Sequence, residues 1–390
     1  MTAKWLKLGI SGAIFIALLS ACSDSDNDNE PRQIPEMEVT LTEPMESAAS
    51  PGPYSAGHMT GQVFDAARDN RSLPYDVWYP AEEAPAEGTP RTFYSLLGPI
   101  GIDSELASDD LAVATGPLPM LMFSHGSGGL NIQSLRMMEA LASHGFIVVS
   151  AQHTGNTFDD FSDSLEQAGA RRVPDVSFLI DTFIGRNDTV GDPFYERIDT
   201  AAIGVLGHSF GGGTALGMVA GFYGAPVDPR VKAVMPISAT VLDRFSDEAL
   251  AEITEPVLFL GGTEDTSVPI ENHDYGFDQI TNASAIYQVD IVGAGHNAFA
   301  AICDIGNTLI DNGIGEESWP AIGAEALIAP YEDACGPAAF PITEAQRIQN
   351  VYGIAFFRRH LLGQEEYDYY LDETYAQENE ADVVYKVRLR

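Results

Sequence analysis

"IGVLGHSFGGG", residues 203–213, is the stretch on which the reading of this chain turns. A short apolar run ends in Gly207-His208-Ser209-Phe210-Gly211, and two more glycines follow. A strand running through a sharp turn into a helix would carry this pattern, with the Ser209 hydroxyl held out at the turn. With 37 glycines among 390 residues, the same letters also fit a plain glycine-rich turn. Position decides between the two. A nucleophilic serine needs a base and an acid, and in an open α/β sheet these stand just beyond other strands.

Outward from that stretch, apolar strand-like runs alternate with helical patterns. "LPYDVWYP" (73–80) reads as an early strand, and 81–117, rich in Ala, Pro, Glu and Gly, as an insertion or long loop. "LPMLMFSHG" (118–126) and "GFIVVSAQH" (145–153) are continuous apolar runs, as expected of strands buried on both faces, with a helix near 132–144 between them. Pro174 stands where a helix through "DVSFLIDTFI" (175–184) could begin. Further strands are expected at 201–207, 230–238, 255–262 and 284–293, and Thr343 to Gln346 has the form of a capping box. The alternation predicts an α/β fold with a mostly parallel central sheet and helices on both faces, in one domain over 54–390.

Among the eight histidines, His296 alone follows a strand directly, in the glycine-flanked loop "VGAGHNAF". It is the candidate general base. His58 and His144 read as structural or surface residues, His273 as a helix residue, and His360 as a charge at a helix C-terminus. Asp265, after "PVLFLGGTE", is the favoured acid, with Asp243 and Glu264 left open as alternatives. The backbone N–H groups of Phe210 and of Ser127, in "SHGSGG" (124–129), are the candidate oxyanion donors. His125 either shapes that loop or joins the site, and His153 and Asn156 either line the pocket or pack a loop. Arg171 and Arg172 are expected to form ion pairs near Asp175.

The formal charge of −37 leaves no basic stripe for a phosphate backbone, which argues against a nucleic-acid partner. No P-loop, intact G-x-G-x-x-G or HExxH occurs, so no cofactor and no metal are expected. Lys4 and Lys7 precede an apolar run from Leu8 to Leu19, and the run ends in Leu19-Ser20-Ala21-Cys22. This start resembles a bacterial lipoprotein signal. The resemblance implies a signal peptide at 1–21, lipidation of Cys22 and, with Ser23 next to it, the outer membrane. Loss of Lys4 and Lys7 would take the charge from −37 to −39. Residues 22–53, with "SDSDNDNE" at 23–30, are expected to be a disordered acidic tether. In an exported chain the remaining Cys303 and Cys335 read as one disulfide.

Taken in order, "LPYDVWYP", "FSHGSGG", "GHSFGGG", "GGTEDTSVP" and "GAGHNAF" resemble the α/β-hydrolase superfamily over roughly residues 54–370. Within it they are similar to the platelet-activating-factor acetylhydrolase-like and cutinase-like lipase/esterase group. The resemblance implies a serine carboxylic ester hydrolase working through an acyl-enzyme, with Ser209, Asp265 and His296 as its triad. The alternatives are a lipase or polyester hydrolase acting on long-chain or insoluble esters, and a non-catalytic surface-binding lipoprotein. In the eukaryotic acetylhydrolases the acid follows the preceding strand, which here ends "MPISAT" (235–240) without an adjacent Asp, and this counts against phospholipid specificity. Dienelactone hydrolases carry Cys, and dehalogenase relatives Asp, where this chain has Ser209.

Overall fold

In a computed structural model of the chain, the described residues are 41–85 and 88–390. The expected signal peptide, Cys22 and the first part of the tether lie outside them. Twelve described strands run β1 (Ser55–Asp65), β2 (Arg71–Ala81), β3 (Phe93–Leu97), β4 (Ile100–Asp103), β5 (Ala107–Asp109), β6 (Leu118–Ser124), β7 (Ile147–Ala151), β8 (Ile198–His208), β9 (Val231–Ile237), β10 (Val257–Gly262), β11 (Ala285–Ile291) and β12 (Val383–Leu389). The helices are α1 (Leu135–Ser143), α2 (Leu165–Asn187), α3 (Phe210–Ala220), α4 (Asp247–Ala251), α5 (Glu271–Gln279), α6 (Ile302–Asp311), α7 (Ile328–Cys335), α8 (Ile342–Leu362) and α9 (Glu373–Asn379).

Ten strands form one sheet in the order β12-β11-β10-β9-β8-β6-β7-β2-β1-β5. From β11 through β7 every neighbour pair is parallel. β2 lies antiparallel to β7, and β12 antiparallel to β11. The apolar runs show why both faces are covered. Leu121 and Phe123 of β6 enter a core shared with α1 and α8, while Met120 and Met122 enter a second core with α2 and α3. A strand with alternate side chains in two cores has no polar face, so it reads as a continuous apolar run. After β6 the chain moves to β7 on one side, then returns to β8 on the other. The crevice at this reversal is where an open α/β sheet binds ligands.

Several expectations need correction. Helix α2 starts at Leu165, where Ser164 and Gln167 form a full capping box, and Pro174 lies inside it. The cap, together with the buried face of Val173, Val176, Leu179, Ile180 and Phe183, holds the helix despite the backbone bond that the proline removes. Thr343 caps nothing, because α8 begins one residue earlier at Ile342. The 81–117 segment is not a plain loop: β3 and β4 pair as a hairpin, and β5 adds to the sheet edge beside β1. The tether does not extend to residue 53. Ser47 Oγ and Ala48 N–H bond the Tyr370 hydroxyl at 2.9 and 3.2 Å, and Gly52 N–H donates to Ser143 Oγ at 3.0 Å. Such contacts with residues 91 to 323 positions away cannot be read from local composition.

His360 is not a helix-end charge. It hydrogen-bonds Tyr287 at 3.0 Å, and burial pulls its pKa down to about 4. Burial also brings His144 and His153 to about 4 and His208 to about 3. In the unfolded chain each of these rings protonates near pH 6.5, whereas the folded protein keeps them neutral. The unfolded state therefore binds more protons, and stability falls as pH drops below about 6.5, by about 1.4 kcal/mol per pH unit for each ring. His58 acts in the opposite sense. Burial lowers its pKa, but Asp76 and Asp109 outweigh burial and raise it, so its contribution is lost as pH rises. Burial also holds His125 well below its ordinary value, so five lowered rings outnumber it, and denaturant midpoints should fall steadily from pH 6.5 to 5. Midpoints that stay flat over that range would contradict the neutral assignment.

Candidate active site

Ser209 occupies the turn between β8 and α3 at φ 58° and ψ −122°. A non-glycine residue at such angles costs on the order of 1–3 kcal/mol and is kept only where its surroundings enforce it. The flanking glycines show what enforces it. A Cβ on Gly211 would stand 1.9 Å from the Ser124 carbonyl oxygen, and one on Gly207 would stand 2.3 Å from the Gly211 oxygen. The turn thus packs backbone against backbone, and Ser209 N–H is tied to Ile237 O at 2.8 Å.

The Ser209 hydroxyl donates to His296 Nε2 at 3.0 Å, and His296 Nδ1–H donates to Asp265 Oδ2 at 2.7 Å. His296 begins a 3₁₀ turn directly after β11, and Asp265 follows β10. The second carboxylate oxygen of Asp265 accepts the N–H groups of Ser267 (2.9 Å) and Val268 (2.7 Å), so the group cannot turn away. Burial pushes the Asp265 carboxyl up, but the His296 hydrogen bond, the imidazole's charge and the Val268 N–H outweigh burial and hold it below its ordinary value. Of the alternatives, Asp243 and Glu264 are both exposed. The structure brings neither to His296.

Ser209 and His296 open on a cavity of about 720 Å³. One wall is the Gly126–Leu130 loop after β6, together with Phe158 and Phe161. The opposite wall comes from α6 and the segment leading into α7, with Ile302, Ile305, Leu327 and Pro330. Ser127 lines this cavity, and Phe210 is the first residue of α3 after the serine. Asp333, also on the wall, is the one carboxylate among the described lining residues.

His208 and Gln133 had no motif signal of their own and emerge only in three dimensions. His208 Nδ1 accepts from Gln133 Nε2 at 2.7 Å, and its Nε2–H donates to the His296 carbonyl at 2.8 Å. Gln133 Oε1 in turn accepts Gly126 N–H at 2.9 Å. A neutral His208 therefore ties the serine turn to the histidine loop on one side and, through Gln133, to the glycine loop on the other. Its place inside G-x-S-x-G was the only hint.

A second Ser-His-Asp array lies behind the glycine loop. Ser124 Oγ is 2.9 Å from His153 Nε2, and His153 Nδ1 is 3.0 Å from Asp175 Oδ2. Distances alone do not separate it from the first. Access does: Ser124, His153 and Asp175 are sealed from solvent, and Asp175 is already bound by Arg68 and Arg71. His153 accordingly does not line the pocket, nor does Asn156. The expected ion pairs are also revised. Arg171 pairs with Asp163, whereas Arg172 has no carboxylate partner among the described residues and turns instead to backbone carbonyls.

The Cys303–Cys335 disulfide is present and joins the start of α6 to the end of α7. Two residues before Cys335, Asp333 accepts the N–H of Asn297, the neighbour of His296, at 3.2 Å. The bridge thus fixes a wall of the cavity and a contact to the histidine loop together. Closing a loop of roughly 33 residues stabilises a fold by about 3–4 kcal/mol on the chain-entropy estimate. Replacing both cysteines with alanine should lower denaturant stability by that amount and raise KM for any ligand filling the cavity. Stability and KM both unchanged would refute this.

The geometry now stands beside known proteins. A PET hydrolase-like family matches residues 131–312. A ferulic acid esterase from Streptomyces cinnamoneus superposes with a TM-score of 0.59 over 82% of this chain and 94% of its own, at 24% identity. The chain has the α/β-hydrolase fold. Among its relatives, a cutinase of Thermobifida alba is 29% identical over 51% of this chain and 65% of the relative. A cutinase of Thermobifida cellulosilytica is 27% identical over 45% of this chain and 59% of the relative. A bis(hydroxyethyl) terephthalate hydrolase of Streptomyces coelicolor is 31% identical over 34% of this chain and 35% of the relative. The chain spans less than two thirds of the length of these curated relatives. The family match ends at 312, before the segment that carries α7 and the second cysteine.

Proposed function

We propose that this α/β-hydrolase is a serine carboxylic ester hydrolase acting through an acyl-enzyme. The observation that carries the reading is the hydrogen-bonded line Ser209–His296–Asp265, with its serine end on a cavity of about 720 Å³ and its acid end buried. In the proposed reaction Ser209 Oγ attacks the ester carbonyl as His296 Nε2 takes its proton. The N–H groups of Phe210 and Ser127 hold the oxyanion, each worth about 10²–10³ in rate. His296 then gives the proton to the leaving alcohol, and a water activated by the same ring releases the acid. Asp265 keeps Nδ1 protonated and stabilises the imidazolium.

The cutinases, terephthalate ester hydrolase and ferulic acid esterase among its relatives and structural neighbours support esters as the substrate class. A polyester or long-chain substrate is the second reading, favoured by Phe161, which is 65% exposed at the cavity wall. A bulky exposed ring offers a surface for an insoluble chain. A fluorophosphonate probe should label Ser209 covalently, and p-nitrophenyl esters of increasing length should be hydrolysed. Activity that rises with chain length or extends to polyester film favours the second reading. An unlabelled, inactive but folded protein would overturn the first and leave the surface-binding lipoprotein.

The export and anchoring of the chain belong to the same proposal. Lipidation at Cys22 and outer-membrane placement rest on the sequence resemblance, and the Cys303–Cys335 disulfide fits an oxidising compartment. No helix among the described residues is long and apolar enough to cross a membrane. Mass analysis of the mature N-terminus would test for a lipidated Cys22.

A further inference from the structure

Arg172 is completely buried on α2, and burial pulls its pKa only down to about 9, so it is charged at neutral pH. A buried cation without a carboxylate partner is costly and persists through the hydrogen bonds it makes; here both Nη atoms are bonded and Nε is not. Its bonds go almost entirely to the glycine loop. Nη1 donates to the His125 carbonyl and to Ser124 Oγ (3.2 Å), and Nη2 donates to the Gly126 carbonyl (2.9 Å) and to Asn156 Oδ1 (2.6 Å). The guanidinium also lies over the Phe210 ring, 5.0 Å from its centroid. One side chain thus touches both residues whose N–H groups are the proposed oxyanion donors, or their immediate support.

The Gly126 carbonyl is held from three directions. Besides Arg172, it accepts Gly129 N–H at 3.1 Å and His125 Nδ1–H at 2.7 Å. The His125 tautomer follows from its other nitrogen, which accepts His153 N–H at 3.1 Å. The Gly126–Ser127 bond is trans. In a trans peptide the N–H of the following residue points opposite to the carbonyl. Fixing Gly126 O toward Arg172 therefore turns Ser127 N–H away from the buried network, on the side where Ser127 lines the cavity. Asn156 completes the clamp, because its Nδ2 donates to Ser127 Oγ at 3.0 Å.

We propose that Arg172 is a positioning residue for the oxyanion hole: its planar fork aims the Ser127 N–H and, through the Phe210 ring, seats the second donor. This rests on the ester-hydrolase reading. Lysine retains the charge but offers one ammonium where two carbonyls and an amide need a fork, so it cannot substitute.

The test compares wild type with Arg172→Lys at a temperature well below both melting points. It measures ester hydrolysis and inhibition by a trifluoromethyl ketone, which adds to the serine and places an oxyanion in the hole. The expected result is a kcat lower by about 10- to 100-fold with KM within about threefold. Affinity for the ketone should fall by the same factor, while affinity for the matching secondary alcohol, which forms no oxyanion, stays level. A merely structural role would weaken both inhibitors or neither. If Arg172→Lys does not fold, Asn156→Ala leaves the guanidinium in place and frees one arm of the clamp. It should weaken the ketone about three- to tenfold without affecting the alcohol. Equal ketone affinity in a folded variant overturns the proposal. A wild-type protein that neither hydrolyses esters nor binds the ketone overturns the esterase reading instead.

Discussion

Ser209→Ala is expected to lower ester hydrolysis by about 10⁵–10⁶ in kcat, the loss seen when a nucleophile that works as part of a unit is removed. The fluorophosphonate label should disappear with it. Folding should survive. Alanine keeps the Cβ that already fits the turn at φ 58°, and Gly207 and Gly211, which let the backbones approach, are untouched. The substitution removes one hydroxyl and its bond to His296 at 3.0 Å, so the melting temperature should shift by no more than a few degrees. Such a separation of activity from stability is the signature of a reacting group. If Ser209→Ala kept full hydrolysis, the chemistry would have to lie elsewhere, and the sealed Ser124–His153–Asp175 array offers no access for a substrate.

The second large effect is at Asp265. Asp265→Asn should reduce kcat about 10⁴-fold at neutral pH while leaving the side-chain shape unchanged. The amide would present either an N–H against His296 Nδ1–H or an oxygen without charge, so the ring loses both its fixed tautomer and the stabilisation of its charged form. The same variant carries a pH signature in stability. The folded Asp265 carboxyl is held below its ordinary value, so its contribution is present above the unfolded pKa and lost as pH falls through the folded one. The wild-type stability advantage over Asp265→Asn should therefore be full near neutrality and shrink in acid. Asp243→Asn and Glu264→Gln, on exposed carboxylates, serve as the comparison and should leave kcat unchanged.

How much of this was legible beforehand depends on the range of the signal. Strands buried on both faces announce themselves, because each residue of "LPMLMFS" must be apolar whichever core it enters. The outer strands β1 and β12 do not announce themselves, since partly solvated faces near the ends of the sheet leave a mixed pattern. Pro174 misled for a similar reason. A proline rule concerns one residue, whereas the capping box at Ser164 and the packing of α2 involve the whole helix. The roles of Arg172, His208 and Gln133 have no usable sign in the sequence, because they depend on partners 16 to 88 residues away in the chain.

By itself, the sequence determined the alternation that makes a parallel sheet, the glycine-lined turn at Ser209, and the order in which serine, acid and histidine follow their strands. These are local properties, written in periodicity and in residues whose backbone freedom is needed on the spot. The tertiary structure decided which carboxylate meets His296 and which Ser-His-Asp array faces a cavity while the other is sealed. It also decided that a buried arginine without a carboxylate partner among the described residues bonds the loop beside the serine. Each of those is a matter of distance and burial between segments far apart in the chain, and only the packing of the sheet between its two helical layers sets them.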